Sequence, residues 1–231
     1  SSYVWPRVRG AVVTSATITS CGRFDYFLSE SGLRADDAVS TLEVQSPFDF
    51  AKQASLRIHR TVAEPRDAHA YNVEVSQAIA QDLHALEGGV LVLFTSKAHL
   101  AQAVSALPPE LRGRVLVQGD ASRIDILRRH KQRVDEGLPS VIFGLQSFGQ
   151  GVDLPGKYCE AVMIAKLPFT PPTDPVGQAR SEWLQSQGGD AFSELVVPAT
   201  SIKLNQWVGR LIRTEQDQGQ VICYDKRLSD T

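Results

Sequence analysis

The apolar positions change rhythm along this chain, and the rhythm predicts strands alternating with helices. From about Val73, the residues Val75, Ile79, Leu83 and Leu86 recur at helical spacing, and Gly88-Gly89 closes that helix. Val90-Leu91-Val92-Leu93-Phe94 follows as an unbroken apolar run, the pattern of a parallel strand buried on both faces. A helix is predicted from Lys97 to about Ala106, then a strand at Val115-Leu116-Val117. Ser122, with Asp125 three residues on, opens a helix to about Glu136, closed by Gly137. Strands at residues 141–143 and 161–164 flank a loop from Gly144 to Gly156. Asp174-Pro175 places a cap and a first-turn proline before a helix to about Gln187. A last helix is predicted from about Ser201 to Ile212, and Val221-Ile222-Cys223-Tyr224 returns to the sheet. Nearer the N-terminus the pattern gives a strand at residues 11–13, a helix over 22–28, and short strands near 42–44 and 56–59. The alternation implies an α/β fold with a mostly parallel central sheet flanked by helices. In such sheets ligands bind beyond the carboxyl ends of the strands, where Thr95-Ser96 and the loop 144–156 fall.

Composition narrows the class. Of 231 residues, 42% are hydrophobic and 22% charged, which excludes disordered and collagen-like chains. No apolar run approaches the roughly 18 residues a membrane helix needs, and no signal peptide opens the chain. Both ends have the look of cut ends, so a piece of a longer cytoplasmic protein is expected. Cys21, Cys159 and Cys223 form no C-x-x-C pair, and His59, His69, His84, His99 and His130 show no metal-ligand spacing. No metal site is therefore expected here. A net charge of −2 confines any nucleic-acid contact to a local surface.

Two constellations carry candidate chemistry. At about 100° per residue, Gln206, Arg210 and Arg213 share one face of the last predicted helix, with Leu204, Val208, Leu211 and Ile212 opposite. Two guanidiniums on one face suit a phosphate chain, because their forks match phosphate oxygens in pairs; a solvated face with surface ion pairs is the alternative. Gly209 beside them costs roughly 1 kcal/mol against alanine, which points to a packing or close-approach reason. In the loop, Gly149, Gly151 and Gly156 allow close backbone approach and Asp153 can accept from hydroxyls, or the segment is an ordinary turn. Ser96 can cap a helix or bind a ligand. Trp183 and Trp207 are expected in the core. Phe148 and Phe169 follow strand ends and could stack on bases or pack. The basic residues Arg123, Arg128, Arg129, Lys131 and Arg133 scatter around their helix, as a solvated face does.

The string Gln206-x-x-Gly209-Arg210-x-x-Arg213 resembles motif VI of superfamily 2 helicases, without the H-R-x-G-R of DEAD-box proteins. Residues 145–156, with Ser147, Phe148, Gly151 and Asp153, resemble motif V of the DinG/XPD branch. Residues 91–96 resemble motif IV, Thr14-Ser15-Ala16-Thr17 motif III, and Val117-Gln118-Gly119-Asp120 a DinG pattern, with an ordinary turn the equal alternative for the last; residues 168–176 and 206–228 also look closer to DinG. The resemblance implies a RecA-like (P-loop NTPase-type) domain over residues 1–231, the second motor half of an ATP-dependent DNA helicase. Residues 1–20 would border the first motor domain. It further implies Arg213 as an arginine finger, Arg210 as its helper, and Gln206, Gly209, Gly151 and Asp153 near the nucleotide. Thr95, Ser96, Gln118, Gln146, Ser147 and Phe148 would face DNA. Neither G-x-x-x-x-G-K-[ST] nor a D-E-A-H-type segment occurs. ATP and Mg2+ would thus be held mainly by the N-terminal motor domain, which in such relatives also carries an iron–sulfur cluster. The expected activity is 5′-to-3′ movement on single-stranded or forked DNA in repair or replication. The rivals are an RNA-directed motor, a nuclease-associated relative that does not unwind, and a degenerate interaction module.

Overall fold

A computed structural model describes residues 4–33, 38–149, 151–170 and 174–229; Gln150, residues 171–173 of the 168–176 stretch, and both extreme termini lie outside it. The chain forms two compact units, Ser46–Leu167 with Trp207–Thr231, and Ser1–Gln45 with Pro168–Gln206.

The larger unit is built on a six-stranded sheet whose strands are all parallel: β1 (Ala54–Ile58), β2 (Gly89–Phe94), β3 (Val115–Val117), β4 (Ser140–Leu145), β5 (Ala161–Ile164) and β6 (Gly219–Cys223). Their order is β1-β6-β5-β2-β4-β3. The apolar run of β2 is buried at every position, as its place between β4 and β5 requires. A short helix, α2 (Phe50–Gln53), leads into β1.

In α3 (Ala68–His84), Asp67 caps the start and Tyr71, Val75, Ile79 and Leu83 form the buried stripe. The α4 helix (Lys97–Ala106) begins at a Ser96 cap, α5 (Pro109–Arg112) is a single turn, and α6 (Arg123–Asp135) begins at a Ser122 cap. A one-turn helix, α7 (Gln146–Gly149), follows β4 directly. Because the sheet is parallel, the chain leaves all six strands at one edge. The junctions after β2, β3 and β4 therefore stand side by side there.

The smaller unit contains α1 (Asp25–Ser31), α8 (Pro175–Ser186) and most of α9 (Val197–Val208), which a π-helical stretch, Phe192–Val196, precedes. Asp174 caps α8 with Pro175 in the first turn. Arg180 pairs with Glu30, and a cavity of about 680 Å³ opens among α1, α8 and the start of α9.

Four expectations are corrected. Residues 11–13 and 42–44 form no strand, since nothing among the described residues pairs with them, and Val12 is 93% exposed. The helix expected at 22–28 starts at Asp25 and runs until Gly32, whose φ of 68° ends it. Trp183, expected in the core, is 65% exposed on α8, whereas Trp207 is buried. The last helix stops at Val208 instead of Ile212. Gly209 follows it, and the next turn is tightened by bonds from Arg210 N–H to Trp207 O and from Leu211 N–H to Val208 O. That turn lets Leu211 and Ile212 reach the core.

The core contains one uncompensated polar ring. His99 on α4 is 1% exposed, packs edge-on to Phe94 at 5.2 Å, and has neither ring nitrogen hydrogen-bonded among the described residues. Burial, helped by the Lys166 charge, pushes its pKa down to about 4. A folded-state value below the unfolded one makes the unfolded chain bind more protons between those values. Stability is therefore full above pH ~6.5 and is lost as pH falls toward ~4, by ~3 kcal/mol at most. Urea unfolding at pH 7, 5.5 and 4.5 should show this decline. His99→Leu should reduce it, leaving the slopes of His130, whose pKa burial also lowers, and of carboxylates held below their usual range, such as Asp217 and Asp225.

Candidate functional site

The residues singled out in the sequence gather at the carboxyl edge of the sheet, around the segment that leaves β4. Phe94 and Leu145 are register partners at the ends of β2 and β4, so Thr95-Ser96 and Gln146-Ser147 leave adjacent strands together. Gln118, just past β3, accepts the Leu145 N–H on Oε1 at 2.7 Å and donates from Nε2 to the Ser147 hydroxyl at 3.3 Å. Thr95, Ser96, Gln118, Gln146 and Ser147 thus share one rim. Ser96 Oγ accepts the His99 N–H at 3.2 Å, so its capping role is filled, and its side chain stands at the exposed surface as well. Phe148 is a correction: it is 2% exposed and packs inward beneath the rim, so it offers no ring for base stacking.

The two arginines reach the same segment from the far side of its sequence. Arg210 donates from Nε to the Gly149 carbonyl at 3.1 Å and from Nη1 to the Val152 carbonyl at 3.2 Å. Arg213 donates from Nη2 to the Val152 carbonyl at 3.3 Å, and its Nη1 lies 3.8 Å from Asp153 Oδ1. Their meeting does not come from a shared helix face, as the spacing suggested, because α9 ends before either of them. Gln206 is still helical and belongs to the smaller unit, where its amide donates to Thr17 Oγ1 at 3.5 Å. Gly209 is the first residue beyond the helix.

Close packing explains one loop glycine and backbone conformation another. A Cβ on Gly149 would stand 2.7 Å from the Trp207 indole, and Gly151 has a φ of 66°, where side-chain-bearing residues are strained.

The electrostatics are one-sided. Burial, then the neighbouring charges of Arg213 and Arg123, lowers the Arg210 pKa, while Asp153 opposes this from an exposed position. On the loop the two arginines donate to the carbonyls of Gly149 and Val152, and Asp153 supplies a carboxylate at 3.8 Å from Arg213. Arg213 Nε is buried without a hydrogen-bond partner among the described residues. Cys159 nearby is pushed up to about 12 by burial and is no nucleophile.

Sequence reasoning missed Asp217. Its Oδ2 accepts the N–H groups of Arg213 at 2.7 Å and Thr214 at 2.8 Å, and its Oδ1 accepts the Thr214 hydroxyl at 2.8 Å. Burial alone would raise its pKa, but the bonds from the Thr214 hydroxyl and from the N–H groups of Arg213, Thr214 and Gly156 hold it below the usual carboxylate range. Thr214, three residues before an acid and directly after the second arginine, was the available signal. Among the described residues no cluster of three His, Cys, Asp or Glu could hold a metal, and no helix is long and apolar enough to cross a membrane.

Comparison with known proteins identifies the family. The ATP-dependent DNA helicase DinG of Photobacterium profundum is 37% identical over 228 residues, 97% of this chain and 33% of that protein. The protein of the same name from Salmonella choleraesuis is 35% identical over 97% of this chain and 32% of its own length. The chain therefore spans about a third of the curated relatives it matches. Among solved structures, Xpd4 of S. tokodaii superposes with a TM-score of 0.63 at 17% identity, over 85% of this chain and 38% of that one, which supports the RecA-like fold. The family described as the helicase C-terminal domain matches residues 79–231, which include Thr95, Ser96, the loop 145–156 and both arginines, and the chain belongs to that family.

Proposed function

We propose that this chain is the second motor domain of a DinG/XPD-type, ATP-dependent DNA helicase, and that it supplies the arginine finger and part of the single-stranded DNA track. The observation that carries this reading is the convergence of Arg210 and Arg213 on the carbonyls of the loop leaving β4. Arg210 spends two donors on that loop and is the anchoring member. Arg213 makes one bond at 3.3 Å and keeps a buried Nε unpaired among the described residues. Arg213 is accordingly the guanidinium with capacity to meet a phosphate, and Arg210 its helper.

The donor set fits the phosphates of ATP, whose hydrolysis supplies the driving force when it is bound. Arg213 and Arg210 would contact those phosphates, with Gly151 and Asp153 beside them. The chain has no phosphate-loop sequence. In this proposal the lysine, the phosphate cradle and the carboxylate for Mg2+ would come from an N-terminal motor domain, the place in such enzymes for an iron–sulfur cluster as well. A finger stabilises charge that develops during phosphoryl transfer, so its contribution falls on turnover more than on ATP binding. On the rim, the side chains of Thr95, Ser96, Gln118, Gln146 and Ser147 are placed to meet a nucleic-acid backbone through neutral hydrogen bonds. This suits a domain of net charge −2. Movement in the 5′-to-3′ direction and a role in DNA repair or replication belong to the same proposal.

Two outcomes are expected. The chain alone should hydrolyse no ATP above background, with or without DNA; magnesium-dependent hydrolysis that stays with it through successive columns would contradict the assignment of the phosphate cradle to another domain. In the protein containing both motor domains, Arg213→Ala should reduce hydrolysis by about 10³-fold or more while DNA binding persists. Single-turnover hydrolysis with saturating single-stranded DNA, beside an anisotropy titration, measures both. Arg213→Lys should rescue poorly, because a point charge replaces a planar fork. Near-normal hydrolysis by the alanine variant would return Arg213 to a surface role.

A further inference from the structure

The connection between β3 and α6 also grips the loop. Beside the two bonds of Gln118 to Leu145 and Ser147, Arg123, the first residue of α6, donates from Nη2 to the Phe148 carbonyl at 3.4 Å. Its guanidinium carbon lies 5.2 Å from the centre of the Phe148 ring. The same Nη2 is 3.8 Å from where a Cβ on Gly151 would stand. After burial and Arg213, its charge is the next cause of the lowered Arg210 pKa, which places it within electrostatic reach of the pair. Three other basic residues of α6 are engaged elsewhere: Arg128 pairs with Asp125, Lys131 lies over the Tyr158 ring, and Arg133 donates to the Gly113 carbonyl. Arg123 is exposed, as expected for this helix, but its guanidinium is engaged with the loop.

We propose that Arg123 is a positioning residue of the motor site. By holding the carbonyl and ring of Phe148, it sets where the Gly149 and Val152 carbonyls stand, and through them where Arg210 and Arg213 stand. The proposal rests on the reading of those two arginines given above. Along the loop, Gln118 and Ser147 lie on the proposed DNA side, the carbonyls of Gly149 and Val152 on the nucleotide side, and Phe148 between them. Arg123 is therefore placed to couple the two. Its loss should lower DNA-stimulated turnover more than the affinity for either ligand.

The test uses the protein with both motor domains and compares Arg123→Ala, Arg123→Lys and Arg213→Ala with the parent. ATP turnover at saturating single-stranded DNA, KM for ATP and DNA affinity by anisotropy are measured, with melting curves to confirm folding. Arg123→Ala should lose about 5-fold or more of DNA-stimulated kcat, roughly 1 kcal/mol in the barrier, with KM and DNA affinity changed by less than about 2-fold, roughly 0.4 kcal/mol. Arg123→Lys keeps a cation over the ring and should recover part of that loss. Parental kcat in Arg123→Ala, a loss matched by equal weakening of DNA binding, or a lysine variant no better than alanine overturns the positioning role. Parental turnover in Arg213→Ala overturns instead the reading of the site on which it rests.

Discussion

The site depends on how the backbone carbonyls of one loop are satisfied once the sheet can no longer do it. The β4 strand lies between β2 and β3 and its ladder ends near Leu145. The chain beyond it stays packed, with Phe148, Gly149 and Val152 buried. Carbonyls in such a place need donors. The donors supplied are guanidiniums, from Arg123 to Phe148, from Arg210 to Gly149 and Val152, and from Arg213 to Val152. Gly149 is part of the same solution, because the Trp207 indole occupies the space a side chain would need.

Arginine suits this position for reasons lysine does not share. Its charge survives partial burial and like-charged neighbours, both of which push the Arg210 pKa down. Its several donors allow one side chain to hold two carbonyls in different directions, as Arg210 does. Neutral carbonyls accept from both guanidiniums, and exposed Asp153, 3.8 Å from Arg213, contributes little in solvent. The loop gains rigidity while the region keeps a cationic excess, which is the condition for receiving an anion without first breaking a strong ion pair.

Much of this fold was legible in the chain itself, because its central strands are buried on both faces. The run 90–94 and the strands at 115–117 and 161–164 emerge where expected, as do the Ser96, Ser122 and Asp174 caps. Short apolar triplets were not decisive: residues 11–13 carry the composition of a strand, but a strand needs a paired neighbour, which composition does not encode. The arginine pair was legible as a pair, but its expected shared helix face was wrong as geometry. Helical periodicity continues on paper through Ile212, whereas the helix ends at Val208 and a tighter turn follows it. Arg123 was hidden for a related reason. A wheel places it among scattered basic residues, and only the tertiary position of Phe148 distinguishes it.

The turn that replaces the end of the helix is itself held by a carboxylate. Asp217 binds the N–H groups of Arg213 and Thr214 and the Thr214 hydroxyl, so it satisfies donors that a helix would have used internally. Gln53, at the end of α2, closes the arrangement from the β1 side, donating to the Thr214 and Asp217 carbonyls at 2.9 and 3.0 Å. The backbone of Arg213 is thereby tied to β1 while its side chain is tied to the loop after β4. Those strands are far apart in the sheet order, with β6, β5 and β2 between them. Arg213 therefore reports the relative position of two distant parts of one sheet. A rigid parallel sheet keeps that position constant, and this allows a long, otherwise mobile guanidinium to be presented at a defined point.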